Sequence, residues 1–240
     1  MKVRIAYIDE PPFYWTGSDH RATGADIELA DVVLRAVGAT SIEHHLTTFE
    51  EFLPGVQVGR WDMNVPIFVT PERAERVAFS LPVWTLGDGF LVHRGNSKAL
   101  TSYAALAARS DARLGVIPGQ IQINAAKSAG VADSQLVAFK DQPEAVAALL
   151  AGKIDAFAAT AIGNRDTASK HSELEAVAHE AGKAANSPVG AFSFSKGNHA
   201  LLQAVNDQLR AYLGSAGHRK LVAKYGFTET EIDGVVARKG

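Results

Sequence analysis

The spacing of apolar and polar positions switches repeatedly between periods of about 2 and about 3.6, which outlines an α/β protein. Residues 2–8 (KVRIAYI) read as a strand, followed by the turn Asp9-Glu10-Pro11-Pro12. Between Ala25 and Val37, apolar Ile27, Ala30, Val33, Leu34 and Val37 recur at helical spacing, and Gly38 stops the run. Thr48-x-x-Glu51 resembles a capping box opening another helix, in which Pro54 must sit early or make a kink. Residues 62–69 (DMNVPIFV) read as a buried strand interrupted by a proline.

The second half repeats the plan. Residues 112–117 (ARLGVI) form a strand, and Pro118-Gly119 turns into a helix beginning near Gln122. Asp141-x-x-Glu144 starts a helix carrying Val146, Leu149 and Leu150, which runs into Gly152-Lys153-Ile154-Asp155 and a strand over 156–159. The same junction occurs earlier as Gly59-Arg60-Trp61-Asp62, so two similar lobes are expected. Residues 90–94 (FLVHR) and 189–195 (VGAFSFS) read as strands running side by side as the crossovers between them. A last helix, with Leu201, Leu202, Val205, Leu209, Tyr212 and Leu213 on one face and Asn198 as its cap, returns the chain to the first lobe.

Charge and composition narrow the chemistry. The 240 residues carry a formal net charge of −2 with both signs interspersed, which disfavours nucleic-acid binding. Cysteine is absent, removing disulfides, thiolate nucleophiles and iron–sulfur ligation. The first residues enter a strand pattern without an apolar signal core, so the reading is either a cytosolic protein or a mature chain from which an export signal has been removed. There is no P-loop, GxGxxG, GxSxG or HExxH motif. His171, Glu175 and His179 fall four apart, but among Ser, Lys and Glu they read as a solvated helix face rather than metal ligands. No metal and no cofactor is expected.

The most informative stretch is Thr70-Pro71-Glu72-Arg73, followed by Phe79-Ser80-Leu81-Pro82: a capped helix start with an arginine about one turn in. With Pro11-Pro12-Phe13, Gly24-Ala25-Asp26-Ile27-Glu28-Leu29-Ala30, Leu53-Pro54-Gly55, the two Gly–basic–apolar–Asp junctions, Phe194-Ser195-Lys196-Gly197-Asn198 and Tyr225-Gly226-Phe227, it resembles the solute-binding proteins of polar amino-acid ABC transporters. The resemblance implies a type II periplasmic-binding-protein fold with a hinge of two crossover strands, lobe one over 1–92 and 193–240 and lobe two over 93–192. It implies capture of a small zwitterion, without covalent chemistry, by a periplasmic monomer that serves an ABC permease.

In that family the arginine of the TPER-like motif, here Arg73 behind Thr70, clamps the ligand carboxylate; a guanidinium fork suits that task. The turn Gly119, Gln120, Ile121, Gln122 would add backbone N–H groups at a helix start. Thr160 stands where amino-acid-binding members usually carry a carboxylate, and 65–69 (VPIFV) replaces the polar stretch before the motif. The resemblance is closer to the ectoine-binding branch, in which Glu10, Phe13, Phe49 and Phe68 would surround a delocalised cation. Gln120-Ile121-Gln122 departs from that branch too, where small residues and Thr are common. Three rival readings stay open: a standard polar amino-acid-binding protein, a dehydratase-like enzyme using Glu10 as acid or base, and the sensor module of a signalling protein.

Overall fold

The computed structural model describes residues 1–179 and 188–237, which divide into two units, one over 1–86 and 188–237 and the other over 87–179. The first unit opens with β1 (Lys2–Tyr7), the short pair β2 (Trp15–Thr16) and β3 (Ala22–Thr23), and α1 (Ala25–Ala36). It continues through β4 (Ser41–Leu46), α2 (Phe49–Gln57), β5 (Met63–Phe68), α3 (Pro71–Arg76), β6 (Ala78–Phe79) and β7 (Trp84–Thr85). The second unit runs β8 (Asp88–His93), α4 (Tyr103–Ala107), β9 (Leu114–Val116), α5 (Ile121–Ser128), β10 (Leu136–Ala138), α6 (Gln142–Leu150), β11 (Ala156–Thr160), α7 (Ala161–Lys170) and β12 (Leu174–Ala178). The chain then completes the first unit with β13 (Val189–Phe194), α8 (His199–Tyr212), α9 (Ala216–Ala223) and α10 (Glu229–Val236).

Each unit builds its sheet by one rule. The first has strand order β4-β1-β5-β13-β6, with β4, β1 and β5 parallel and β13 antiparallel to β5. The second has order β10-β9-β11-β8-β12, with β10, β9 and β11 parallel and β8 antiparallel to β11. The repeated junction fills one role in both. Asp62 donates its N–H to the Arg4 carbonyl (2.9 Å) and accepts from the Arg4 N–H (2.8 Å); Asp155 does the same with Arg113, at 2.9 and 2.8 Å. An aspartate one position before each central strand thus ties down the start of its parallel neighbour.

The strands expected to run side by side, β8 and β13, lie in different sheets, and the first unit gives way to the second just before β8. The return between units lies outside the described residues. His171, Glu175 and His179 do not share a helix: His171 caps the end of α7, Glu175 is in β12 and His179 follows it. Asn198 precedes α8 without a side-chain capping bond, and its Nδ2 donates to the Asp62 carbonyl instead.

Local signals set the remaining elements. Thr48, Thr70 and Asp141 each accept the N–H of the residue three ahead, at 3.4, 3.2 and 3.0 Å, and so start α2, α3 and α6. Pro66 is tolerated inside β5 because the register to β13 shifts between Ala191 and Ser193, a bulge where one ladder donor is not needed. Gly24 has φ +126°, and a Cβ there would meet the Phe13 carbonyl oxygen at 2.3 Å, so only glycine fits between the turn after β1 and α1. The first unit's core holds Ile5, Phe52, Met63, Phe192 and Phe194, all under 2% exposed. The second buries Phe90, Leu114 and Val116 on one side of its sheet and Leu91, Leu149 and Phe157 on the other. Each such side chain contributes about 1.5–3 kcal/mol of burial.

Candidate functional site

In open α/β sheets the carboxyl ends of the parallel strands are where functional groups collect. In the first unit, Glu10 follows β1, Phe49 follows β4, Phe68 ends β5, and Thr70 and Arg73 follow it. A tight turn fixes Glu10: its N–H donates to the Tyr14 carbonyl at 2.7 Å, and the Tyr14 N–H returns to the Glu10 carbonyl at 3.3 Å. The Tyr14 hydroxyl reaches Glu10 Oε2 at 3.4 Å.

Arg73 is 9% exposed. Its backbone N–H is held by Thr70 Oγ1, and its Nη1 donates to the Phe68 carbonyl at 2.7 Å. Its Cζ lies 5.4 Å from the centre of the Phe49 ring. Burial lowers its pKa, and Tyr14, Glu10 and Glu72 oppose that shift. A guanidinium stays charged under such burial. It is therefore a poorly hydrated cation, well suited to an anionic ligand.

The aromatic residues divide into two layers. Phe68 is half-buried and edge-on to Trp84 at 5.2 Å. Phe13, expected to face a ligand, is 2% exposed and packs on Trp84, Tyr14 and Phe227; it is core. Phe49 commits a ring face to Arg73 and so holds its guanidinium in place. Trp84 lies tight on β13, where a Cβ on Gly190 would come within 1.9 Å of its ring.

Under this layer sits Asp26, 2% exposed, with both carboxylate oxygens 3.2 Å from Trp84 Nε1. Burial pushes its pKa well above the usual carboxylate range; the Trp84 hydrogen bond opposes this and Glu10 adds to it. Because the folded pKa lies above the unfolded value of about 3.9, neutral Asp26 contributes fully below that pH, and the contribution is lost as pH rises toward the folded value. Asp26→Asn, which keeps an acceptor for Trp84, should gain stability relative to the parent by about 1.4 kcal/mol per pH unit across that window. Melting curves whose difference stays constant from about pH 4 to 6 would refute this.

In the second unit the turn after β9 carries Gly119, exposed with φ +85°, then Gln120 as the cap position of α5. Ile121 is half-buried, and Gln122 is 2% exposed. Thr160, at the end of β11, is 4% exposed and its Oγ1 accepts the Gly163 N–H at 3.1 Å, so it serves as the cap of α7. Next to it, Asp88 Oδ2 accepts from the Tyr103 hydroxyl at 2.6 Å, and Oδ1 accepts from Gln122 Nε2 at 3.3 Å. Burial pushes the Asp88 pKa up to about 6 against those hydrogen bonds. Burial also lowers the pKa of His179, whose ring stands edge-on to Phe90 and Tyr103.

Sequence reasoning thus finds Glu10, Phe68, Thr70 and Arg73 together at one sheet end, and the turn Gly119–Gln122 at another. It misses Tyr14, Trp84, Asp26 and Asp88 as members of these clusters. Trp84 follows Phe79-Ser80-Leu81-Pro82 by two residues and could have been flagged as an aromatic extension of that motif. Among the described residues, no group of three or more His, Asp or Glu side chains is placed to hold a metal, and no helix is long and apolar enough to cross a membrane.

Residues 3–229 match the family model described as bacterial extracellular solute-binding proteins, family 3. A probable amino-acid ABC transporter periplasmic-binding protein of Sinorhizobium fredii, y4tE, is 27% identical over 237 residues, covering 96% of this chain and 78% of that protein. The crystal structure of EhuB in complex with hydroxyectoine aligns with a TM-score of 0.84 at 27% identity, covering 98% of this chain and 94% of that one. The ancestral amino acid-binding protein AncCDT-1, a precursor of cyclohexadienyl dehydratase, aligns at 0.81 and 27% identity, covering 93% and 94%. The two-unit α/β architecture is that of the type II periplasmic-binding proteins. With 227 consecutive positions matched by the family model, from residue 3 to residue 229, the chain belongs to the bacterial extracellular solute-binding proteins, family 3.

Proposed function

We propose that this protein is the periplasmic solute receptor of an ABC importer and that it captures a small zwitterion by its carboxylate on Arg73. The observation that carries the reading is an arginine 9% exposed beyond the carboxyl end of β5, its guanidinium braced by the Phe68 carbonyl and the Phe49 ring. A charge so poorly hydrated gains most from an anion that pairs with its planar fork. Half-buried Phe68 and Glu10, at the same sheet end, suit the cationic part of such a solute. The stretch before Thr70, with its buried Val65, Pro66 and Ile67, offers that cation few side-chain acceptors. An ectoine-like amidinium, whose charge is spread and less hydrated, fits this surface better than a compact α-ammonium.

The protein acts in this reading as a monomer that delivers its solute to a membrane permease and performs no covalent step. The transport name of the Sinorhizobium fredii relative supports it. A thermal-shift screen over amino acids, ectoines and betaines tests the proposal. A true ligand at 100 times its dissociation constant adds about 2.7 kcal/mol of stability. Ectoine-like solutes are expected to displace a bound probe at lower concentration than glutamine or arginine. If an α-amino acid wins by about tenfold, equivalent to 1.4 kcal/mol, the ectoine-like reading falls. Turnover of a cyclic hydroxy acid by the purified protein would overturn the receptor reading itself.

A further inference from the structure

We propose that Asp88, with Gln122, is an acceptor site for an N–H-bearing cation, so that a solute bound there carries an amidinium or protonated amine and not a fully alkylated nitrogen. This inference rests on the reading that the protein captures a zwitterion. The register of the sheet points to it. Thr160 and Asp88 are direct partners in the antiparallel pair β11/β8, so their side chains stand on the same face of the sheet. Thr160 carries no charge and spends its hydroxyl on capping α7. The carboxylate at this sheet end is that of Asp88, the first residue of β8.

The surroundings of Asp88 are those of an acceptor held in place. Tyr103 and Gln122 donate to its two oxygens from different helices, α4 and α5, and the Gly89 N–H donates to Oδ1 at 3.1 Å. Burial keeps the Tyr103 phenol protonated and therefore a donor. Among the described residues, no Lys or Arg forms an ion pair with Asp88, although its carboxyl is largely enclosed. Beside it, Gln122 Oε1 is buried without a hydrogen-bond partner. A buried acceptor without a donor is costly, and a carboxylate next to it doubles the demand for N–H groups. A quaternary nitrogen has none to give; an amidinium or ammonium has at least two.

The titratable groups that face Asp88 among the described residues are Tyr103 and, packed against Tyr103, His179, which burial holds neutral to lower pH than usual. Uptake of a proton by Asp88 near pH 6 would replace an acceptor by a donor and repel an N–H ligand.

Calorimetric titration of the whole protein and of Asp88→Asn, with hydroxyectoine, L-glutamine and L-arginine as N–H probes and proline betaine as the alkylated probe, decides the matter. The wild-type protein should prefer an N–H probe to proline betaine. Asp88→Asn should weaken the best N–H probe by about tenfold or more, alter proline betaine by less than about twofold, and flatten a loss of affinity seen as pH falls through about 6. Its melting temperature at neutral pH should be no lower than that of the parent. The proposal is overturned if the best N–H probe binds Asp88→Asn within about twofold of wild type, or if both classes weaken equally in a less stable variant. If no probe binds the wild-type protein, capture of a zwitterion fails first and this inference with it. Binding that is lost in Arg73→Ala but kept in Asp88→Asn removes this inference alone.

Discussion

Replacement of Arg73 by alanine is expected to weaken binding of the carboxylate-bearing solute by about 30-fold or more, because removing one partner of a desolvated charge pair costs about 2–5 kcal/mol. The penalty is large because the neighbourhood is already dry. Arg73 is 9% exposed and rests between the Phe68 carbonyl and the Phe49 ring, so water replaces the missing guanidinium poorly. Arg73→Lys should recover only part of the loss, since an ammonium keeps the charge but not the fork. Calorimetry on folded variants is the check. Unchanged affinity in a folded Arg73→Ala protein would remove Arg73 from the site.

The second large effect concerns stability. Asn64 in β5 is fully buried and holds three elements together: its Oδ1 accepts from Trp61 Nε1, and its Nδ2 donates to the Phe52 carbonyl of α2 at 3.1 Å and to Ser193 Oγ of β13 at 2.9 Å. Asn64→Leu fills similar space but strands an indole N–H and a carbonyl in the core. Each orphan costs about 1–3 kcal/mol, so a total loss of about 2–6 kcal/mol is expected. Urea unfolding should show a lower midpoint with an unchanged slope. A loss below about 1 kcal/mol would mean that this network does not hold β13 to β5.

What the chain discloses before folding is what depends on near neighbours. Thr48, Thr70 and Asp141 cap their helices with bonds spanning three residues, so their spacing alone reveals them. The repeated aspartates of the two junctions are equally legible, and their identical bonds to Arg4 and Arg113 show that the repetition is physical. What needs distant partners stays hidden. Residues 90–94 and 189–195 look alike as apolar runs, and only the ladders assign them to separate sheets. Phe13 and Phe49 read as binding faces because aromatic residues at element ends suit that role. Their contacts with Phe227, more than 200 positions away, and with Arg73 show only in the folded chain. Asp88 sits between two glycines with no local pattern to mark it, and becomes legible only once it is paired with Thr160.

The insertion of one unit within the other also orders events in time. The second unit is drawn from one continuous stretch, so every strand of its sheet is available once residue 178 has been synthesised. The first unit cannot close at that stage. β5 must wait for β13, joined to it by contacts as distant as Asn64 with Ser193, and α1 must wait for α8. A nascent chain that stops short of Val189 therefore leaves one side of β5 as an open edge, with the backbone donors and acceptors of a buried strand exposed. Vectorial synthesis thus leaves the sheet end that carries Arg73 unfinished until β13 and the helices behind it have appeared.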